Sequence, residues 1–152
     1  MNLQGLPGGG PARPPRPGAT VTTEELRVVR TATPDALAGL RSVVSSWARG
    51  VGLPADVLVD LLLAVGEAAA NVVDHAYRSG PPGPLEVELG VRRRGRGRVV
   101  AARIVDRGRW RPSDVSERDR GRGLPMIRAL AQYLDVVVNP TGTEVCLELA
   151  IP

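Results

Sequence analysis

The chain is 152 residues long, 43% hydrophobic, and carries a formal net charge of +4, which fits one domain built around a single core. Phe and Lys are absent, so aliphatics must fill the core and all the cationic side chains other than one His are Arg; this reads as coding bias rather than a nucleic-acid footprint, since Arg13 and Arg16 alone supply two of the surplus charges. The single cysteine, Cys146, excludes an intrachain disulfide, argues against a zinc site, and fits a reducing cytoplasm.

Residues 1–20, "MNLQGLPGGGPARPPRPGAT", bury too little apolar surface to offset their ordering entropy. They predict a disordered Gly/Pro/Arg-rich arm, followed by one folded domain over 21–152. The arm lacks the basic-then-apolar pattern of a secretion signal. "ELRVVR" predicts a short strand. Thr33 and Pro34 then read as N-cap and first residue of a helix that closes at Gly50. A longer helix is predicted from Pro54 to about Ala76, with Leu58, Leu61, Leu62, Val65, Ala69, Val72 and Val73 on a broad apolar face. Asp60, Glu67 and Asn71 interrupt it, so it falls short of the roughly 20 apolar residues that a membrane span needs.

"LEVELGVRR" and "RVVAARIVD" alternate as two strands of a hairpin turning at "RGRG". The polar, Gly- and Pro-punctuated stretch "RGRWRPSDVSERDRGRG" is too long for a simple connector and predicts a functional loop. "LPMIRALAQYL" predicts a third helix, and "DVVVNPTGTEVCLELAIP" two strands around an "NPTG" turn. The order β, α, α, β, β, loop, α, β, β predicts an α+β fold, with helices on one face of a mixed, mainly antiparallel sheet.

Glu67, Asn71 and His75 are four residues apart and drift only about 40° per step on a helix, which places them on one stripe. Spacing alone fits a polar helix edge. It also fits a site in which Asn71 offers a neutral oxygen to a divalent cation and Glu67 takes a proton from an attacking hydroxyl. His75, near the helix end, reads as a partner for the last carbonyls and stays outside the catalytic set. "IVDRGRW" ends a strand in Asp106 with Gly108 two residues on. Such an Asp can accept a hydrogen bond from an exocyclic amine, and the Gly lets a flat ring approach, although both are also ordinary turn residues. "RGRGLPMIRAL" sets Gly121 and Gly123 at the mouth of a helix, beside Arg120 and Arg122, where N–H groups and the dipole favour a phosphate; a plain hinge uses the same residues. It is neither a Walker A loop nor a dinucleotide fingerprint. "RRRGRGR", Arg92 to Arg98, has no interleaved aromatics and reads as a solvated turn, which argues against direct nucleic-acid binding.

The succession of these motifs resembles the GHKL ATP-binding superfamily of gyrase subunits, heat-shock chaperones and histidine kinases: Glu-x-x-x-Asn on a helix, a strand ending Asp-x-Gly, a loop, Gly-x-Gly opening a helix, then a Gly-Thr strand. "GEAAANVVDHAY" most resembles the N box of the anti-sigma-factor serine/threonine kinases. The resemblance spans about Val21 to Ile151 and implies a two-layer α/β sandwich that binds ATP and Mg2+. It makes Asn71 the metal ligand and Glu67 the base, with Asp106 reading the adenine amine and Gly108 under the ring. Gly121, Arg122 and Gly123 would lie at the phosphates, and Thr143 would complete the adenine side. It further implies a sigma factor and an anti-anti-sigma protein of the STAS type as partners, with homodimers common. No dimerisation helix bearing a phosphoacceptor histidine is visible, which sets a sensor histidine kinase aside. Trp110 replaces the second Gly of the first glycine box, and Pro125 stands where the second box often has a Gly. These departures leave open an alternative, a non-catalytic docking module with a degenerate or purely structural nucleotide site.

Overall fold

The computed structural model describes residues 24–109 and 123–152. The arm predicted over 1–20 and most of the loop after β3 lie outside these. β1 (Glu25–Thr31) leads into α1 (Pro34–Gly50). Thr33 is extended, with φ −122° and ψ 157°, and Pro34 supplies the first helical φ, as the sequence predicts, although the Thr33 side chain makes no capping bond. Leu40, Val44 and Ala48 recur every fourth residue and form the buried stripe of α1. α2 (Ala55–Asn71) buries Val57, Leu61, Ala64, Val65, Ala68 and Ala69. The small residues in its second half let it lie close against β3 and β5.

The predicted second helix reached Ala76, but α-helical geometry stops at Asn71 and Val72–Ala76 form a π-helical turn. β2 (Pro84–Arg94) and β3 (Gly97–Asp106) form the predicted hairpin. Gly95, with φ 60°, is the first of its two loop residues, as a type II′ connection requires. α3 (Gly123–Leu130) ends four residues before the predicted limit, because Tyr133 and Leu134 pair with Glu148 and Leu147 instead. β4 (Tyr133–Asn139) and β5 (Gly142–Ile151) complete a sheet of order β1-β2-β3-β5-β4.

All four pairings are antiparallel. β3 and β4 run in the same direction, but β5 inserts between them, so the parallel contact of a mixed sheet never forms. One face packs under the helices: Val28, Leu85, Val87, Leu89, Val100, Ala102, Ile104, Val145, Leu147 and Leu149 alternate inward to meet the apolar sides of α1 and α2 and Ile127 of α3. Among the described residues no helix is long and apolar enough to cross a membrane.

The opposite face carries ion pairs between strands. Arg27 on β1 reaches Glu86 at 2.8 Å and Glu88 at 3.5 Å on β2. Arg103 on β3 reaches Glu88 and Glu144, each at 3.1 Å. Arg94 on β2 reaches past β3 to Glu148 on β5 at 3.1 Å. Partial burial pushes the Glu86 carboxyl up, but the hydrogen bond from Arg27 and the charges of Arg27 and Arg103 together hold it below the usual carboxylate range. A carboxylate depressed in this way adds stability above its unfolded-state pKa, and that stability is lost as pH falls through the folded-state value. Glu86→Gln is therefore expected to lower stability near neutral pH, by an amount that shrinks as pH falls below the usual carboxylate range, in urea titrations from neutral into acid pH. A penalty that persists undiminished in acid would contradict the assignment.

Candidate functional site

Four segments converge at the end of the sheet opposite the Arg92–Arg98 hairpin: the end of β3, the start of β5, the π turn after α2, and the start of α3. Asp106 closes β3 and is only 2% exposed. Its Oδ1 accepts the N–H of Gly108 at 2.9 Å, so the turn expected from Asp-x-Gly is present. Complete burial is more than a turn needs, since an interior carboxylate is costly to desolvate. The β3–β5 register runs to Val105↔Glu144, and its next step sets Thr143 opposite Asp106. Thr143 is 5% exposed, and its Oγ1 is buried with no hydrogen-bond partner among the described residues. Gly142 makes this approach possible. Its φ of 144° suits glycine, and a Cβ there would strike the Asp106 carbonyl and lie 2.9 Å from the Arg107 Cα.

Gly108 is held against the π turn. A Cβ on it would run into the Ala76 carbonyl and come within 2.8 Å of the Ala76 Cβ. The close approach allowed on that side is therefore to the Ala76 peptide, a constraint that the sequence reading of Gly108 did not contain. Arg109 N–H then donates to the Ala76 carbonyl at 2.9 Å. Tyr77, the next residue, accepts the Arg107 N–H at 2.9 Å and donates its hydroxyl to the Pro84 carbonyl at 2.6 Å. Burial pushes the Tyr77 phenol above its ordinary value and the nearby Asp106 charge adds to this, against the opposing Arg107 N–H.

Glu67 and Asn71 occupy the last turns of α2, one turn apart and both partly buried. Gly123, the buried first residue of α3, presses on the Glu67 side chain so closely that a Cβ would lie 3.1 Å from its Cδ. The Glu67 carboxylate thus sits at the opening of α3, where backbone N–H groups are unpaired within the helix. His75 is 8% exposed and belongs to the π turn rather than to the α-helix that carries Glu67 and Asn71.

The structure thus joins Asp106, Gly108 and Thr143 in one corner, and Glu67 with Gly123 in another. Asn71 lies between Glu67 and the π turn that holds Gly108. Gly121 and Arg122, with Arg120 and Trp110, fall outside the described residues. Gly142 and Tyr77 were not among the expected site residues. Gly142 was visible as a turn glycine and as the Gly of the Gly-Thr strand, and Tyr77 only as the last residue of "GEAAANVVDHAY". Among the described residues, no group of three His, Cys, Asp or Glu side chains forms a metal cage. A cation at Asn71 would draw its remaining ligands from phosphate oxygens and water, as magnesium does in nucleotide sites. The buried acceptor of Asp106 beside the unsatisfied Thr143 hydroxyl suits the amino edge of a purine.

Residues 30–149 match the model of the histidine kinase-like ATPase domain. The chain belongs to this family. A histidine kinase-like ATPase domain implies ATP as its ligand, in keeping with the polar pair Asp106 and Thr143. The chain is similar to the RsbU and RsbW domains of Rv1364c from Mycobacterium tuberculosis in their crystal structure, with 25% identity and a TM-score of 0.67 over 84% of this chain. It spans only 33% of that chain's length. It shares its fold with the blue-light activated histidine kinase EL346 of Erythrobacter litoralis, at 21% identity and a TM-score of 0.52, over 76% of this chain and 42% of that one. The antiparallel sheet with helices on one face is the architecture that the GHKL resemblance implied.

Thr143→Val replaces the unpartnered hydroxyl with a methyl of similar shape. The stability of the ligand-free ATPase domain is expected to stay constant or rise by up to about 1 kcal/mol in denaturant melts. A clear loss would show that the hydroxyl has a partner in the free protein.

Proposed function

We propose that the protein is an ATP- and magnesium-dependent serine/threonine kinase of the anti-sigma type. In the cytoplasm it would bind a sigma factor and phosphorylate a STAS-type anti-anti-sigma protein, thereby switching partners. The observation that carries this reading is the position of the Glu67 carboxylate against Gly123 at the opening of α3, one helical turn from Asn71. Further support comes from the N-box resemblance of "GEAAANVVDHAY" and from the fold shared with an RsbW domain.

In this mechanism Asp106 accepts a hydrogen bond from the adenine amine, and the Thr143 hydroxyl, unsatisfied in the free protein, takes the neighbouring edge of the ring. Gly121, Arg122, Gly123 and the first N–H groups of α3 hold the phosphates through the helix dipole and direct hydrogen bonds. Asn71 offers its side-chain oxygen to magnesium, which when bound supplies charge neutralisation across the phosphate oxygens. Glu67 orients the acceptor hydroxyl and takes its proton as the oxygen–phosphorus bond forms and ADP leaves. The N–H groups at the mouth of α3 are fixed before the reaction and so stabilise the developing charge without reorganising.

A docking module that uses nucleotide structurally, or not at all, is the second reading. It is favoured by Trp110 in the first glycine box and by Pro125 in the first turn of α3. The two readings separate on transfer. Glu67→Gln is expected to bind ATP as the wild type does while lowering phosphate transfer to a STAS-type serine or threonine by at least about 100-fold. Transfer at the wild-type rate by this variant would remove Glu67 as the base, and no transfer by the wild type would favour the docking module.

A further inference from the structure

Three consecutive backbone N–H groups leave the end of β3, and each has a partner. Arg107 N–H goes to the Tyr77 hydroxyl at 2.9 Å, Gly108 N–H to Asp106 Oδ1 at 2.9 Å, and Arg109 N–H to the Ala76 carbonyl at 2.9 Å. Two of these acceptors belong to residues 76 and 77, at the end of the π turn that continues the helix bearing Glu67 and Asn71. The corner that presents Asp106 is therefore braced directly against that helix end.

Tyr77 is itself held on two sides. Its hydroxyl donates to Pro84 O at 2.6 Å, at the first residue of β2. Its ring lies over Gly83, where a Cβ would come within 2.6 Å of the Tyr77 Cζ. Gly83 O in turn accepts the N–H of Ala32, between β1 and α1, at 2.8 Å. One phenol thus links the starts of β2 and α1 to the end of β3, and it does so as donor and acceptor together. Phenylalanine can fill the same space but can neither accept the Arg107 N–H nor donate to Pro84.

We propose that Tyr77 is a positioning residue for nucleobase selectivity: its hydroxyl fixes the Asp106–Gly108 corner so that the Asp106 carboxylate meets an exocyclic purine amine. The inference rests on the nucleotide reading of the site. It assigns Tyr77 no contact with the nucleotide. Its action runs through the Arg107 peptide, which lies between Asp106 and the glycine that shares the Asp106 carboxylate.

The test compares ATP with inosine triphosphate, which carries a carbonyl in place of the amine and so sets an acceptor, not a donor, at that position against the Asp106 carboxylate. Titrations of the full chain with each nucleotide, with and without magnesium, yield an ATP-to-ITP selectivity and a magnesium dependence. In Tyr77→Phe the selectivity is expected to fall by about fivefold, the equivalent of one ordinary hydrogen bond, while the magnesium dependence is retained. A loss of folded protein lowers both affinities alike and leaves their ratio untouched, so a purely structural role predicts no change in selectivity. Gly83→Ala provides a second perturbation, because its Cβ displaces the far end of the Tyr77 ring without removing the hydroxyl; the same fall is expected. Wild-type selectivity retained in both variants would overturn the role of Tyr77 alone. Failure of the wild type to bind either nucleotide would overturn the nucleotide reading, and this inference with it.

Discussion

The site depends on the contact between Gly108 and the Ala76 peptide. Any side chain at 108 would push the end of β3 away from the π turn that follows α2, and the Asp106 corner would part from the segment bearing Glu67 and Asn71. The contact also answers a question of hydrogen bonding. The last carbonyls of a helix have no partner within it, and Ala76 finds one in the Arg109 N–H. The π turn over Val72–Ala76 accompanies this arrangement: His75 is buried within it, and from its end the Ala76 carbonyl and the Tyr77 hydroxyl accept N–H groups at the end of β3.

Stability and binding pull apart in this corner. Asp106 and Thr143 occupy positions that apolar residues fill elsewhere on the inward face, as Val145, Leu147 and Leu149 do along β5. A buried hydroxyl without a partner is a net loss in the free protein, so its retention makes sense where a ligand completes it. The rest of the inward face is continuous aliphatic packing, and the open face is held by arginine–glutamate pairs that cross from strand to strand. On the inward face of the described strands, the buried polar side chains, Asp106 and Thr143, therefore gather at the end of the sheet where the glycines allow close approach, which is where function is expected to override packing.

The order of elements was legible because each has its own period: the alternation in "LEVELGVRR", the four-residue recurrence of Leu40, Val44 and Ala48, and the Thr33–Pro34 start of α1. The boundaries that moved did so for tertiary reasons. Ala131 to Leu134 continue the helical apolar pattern, but ladder bonds to β5 claim Tyr133 and Leu134. A π turn has no separate signature in "NVVDHAY", since its residues are as apolar as those of the α-helix before it. Antiparallel pairing throughout likewise depends on the insertion of β5 between β3 and β4, which no local stretch encodes. Asp106, Gly108 and Thr143, which the structure brings into one corner, were singled out from motif order and family resemblance. Tyr77 and Gly142 were not, because their importance lies in partners 30 or more residues away: Tyr77 with Arg107, and Gly142 with Asp106.

The central claim is that the α2 stripe and the β3 corner face one magnesium-bound nucleotide. Isothermal titration of the full chain with ATP, with and without magnesium, on the wild type and on Asn71→Ala, tests it most directly. The account predicts binding that strengthens with magnesium in the wild type and loses that dependence in the variant. ATP binding that ignores magnesium, or an Asn71→Ala protein with the same magnesium dependence as the wild type, would contradict it.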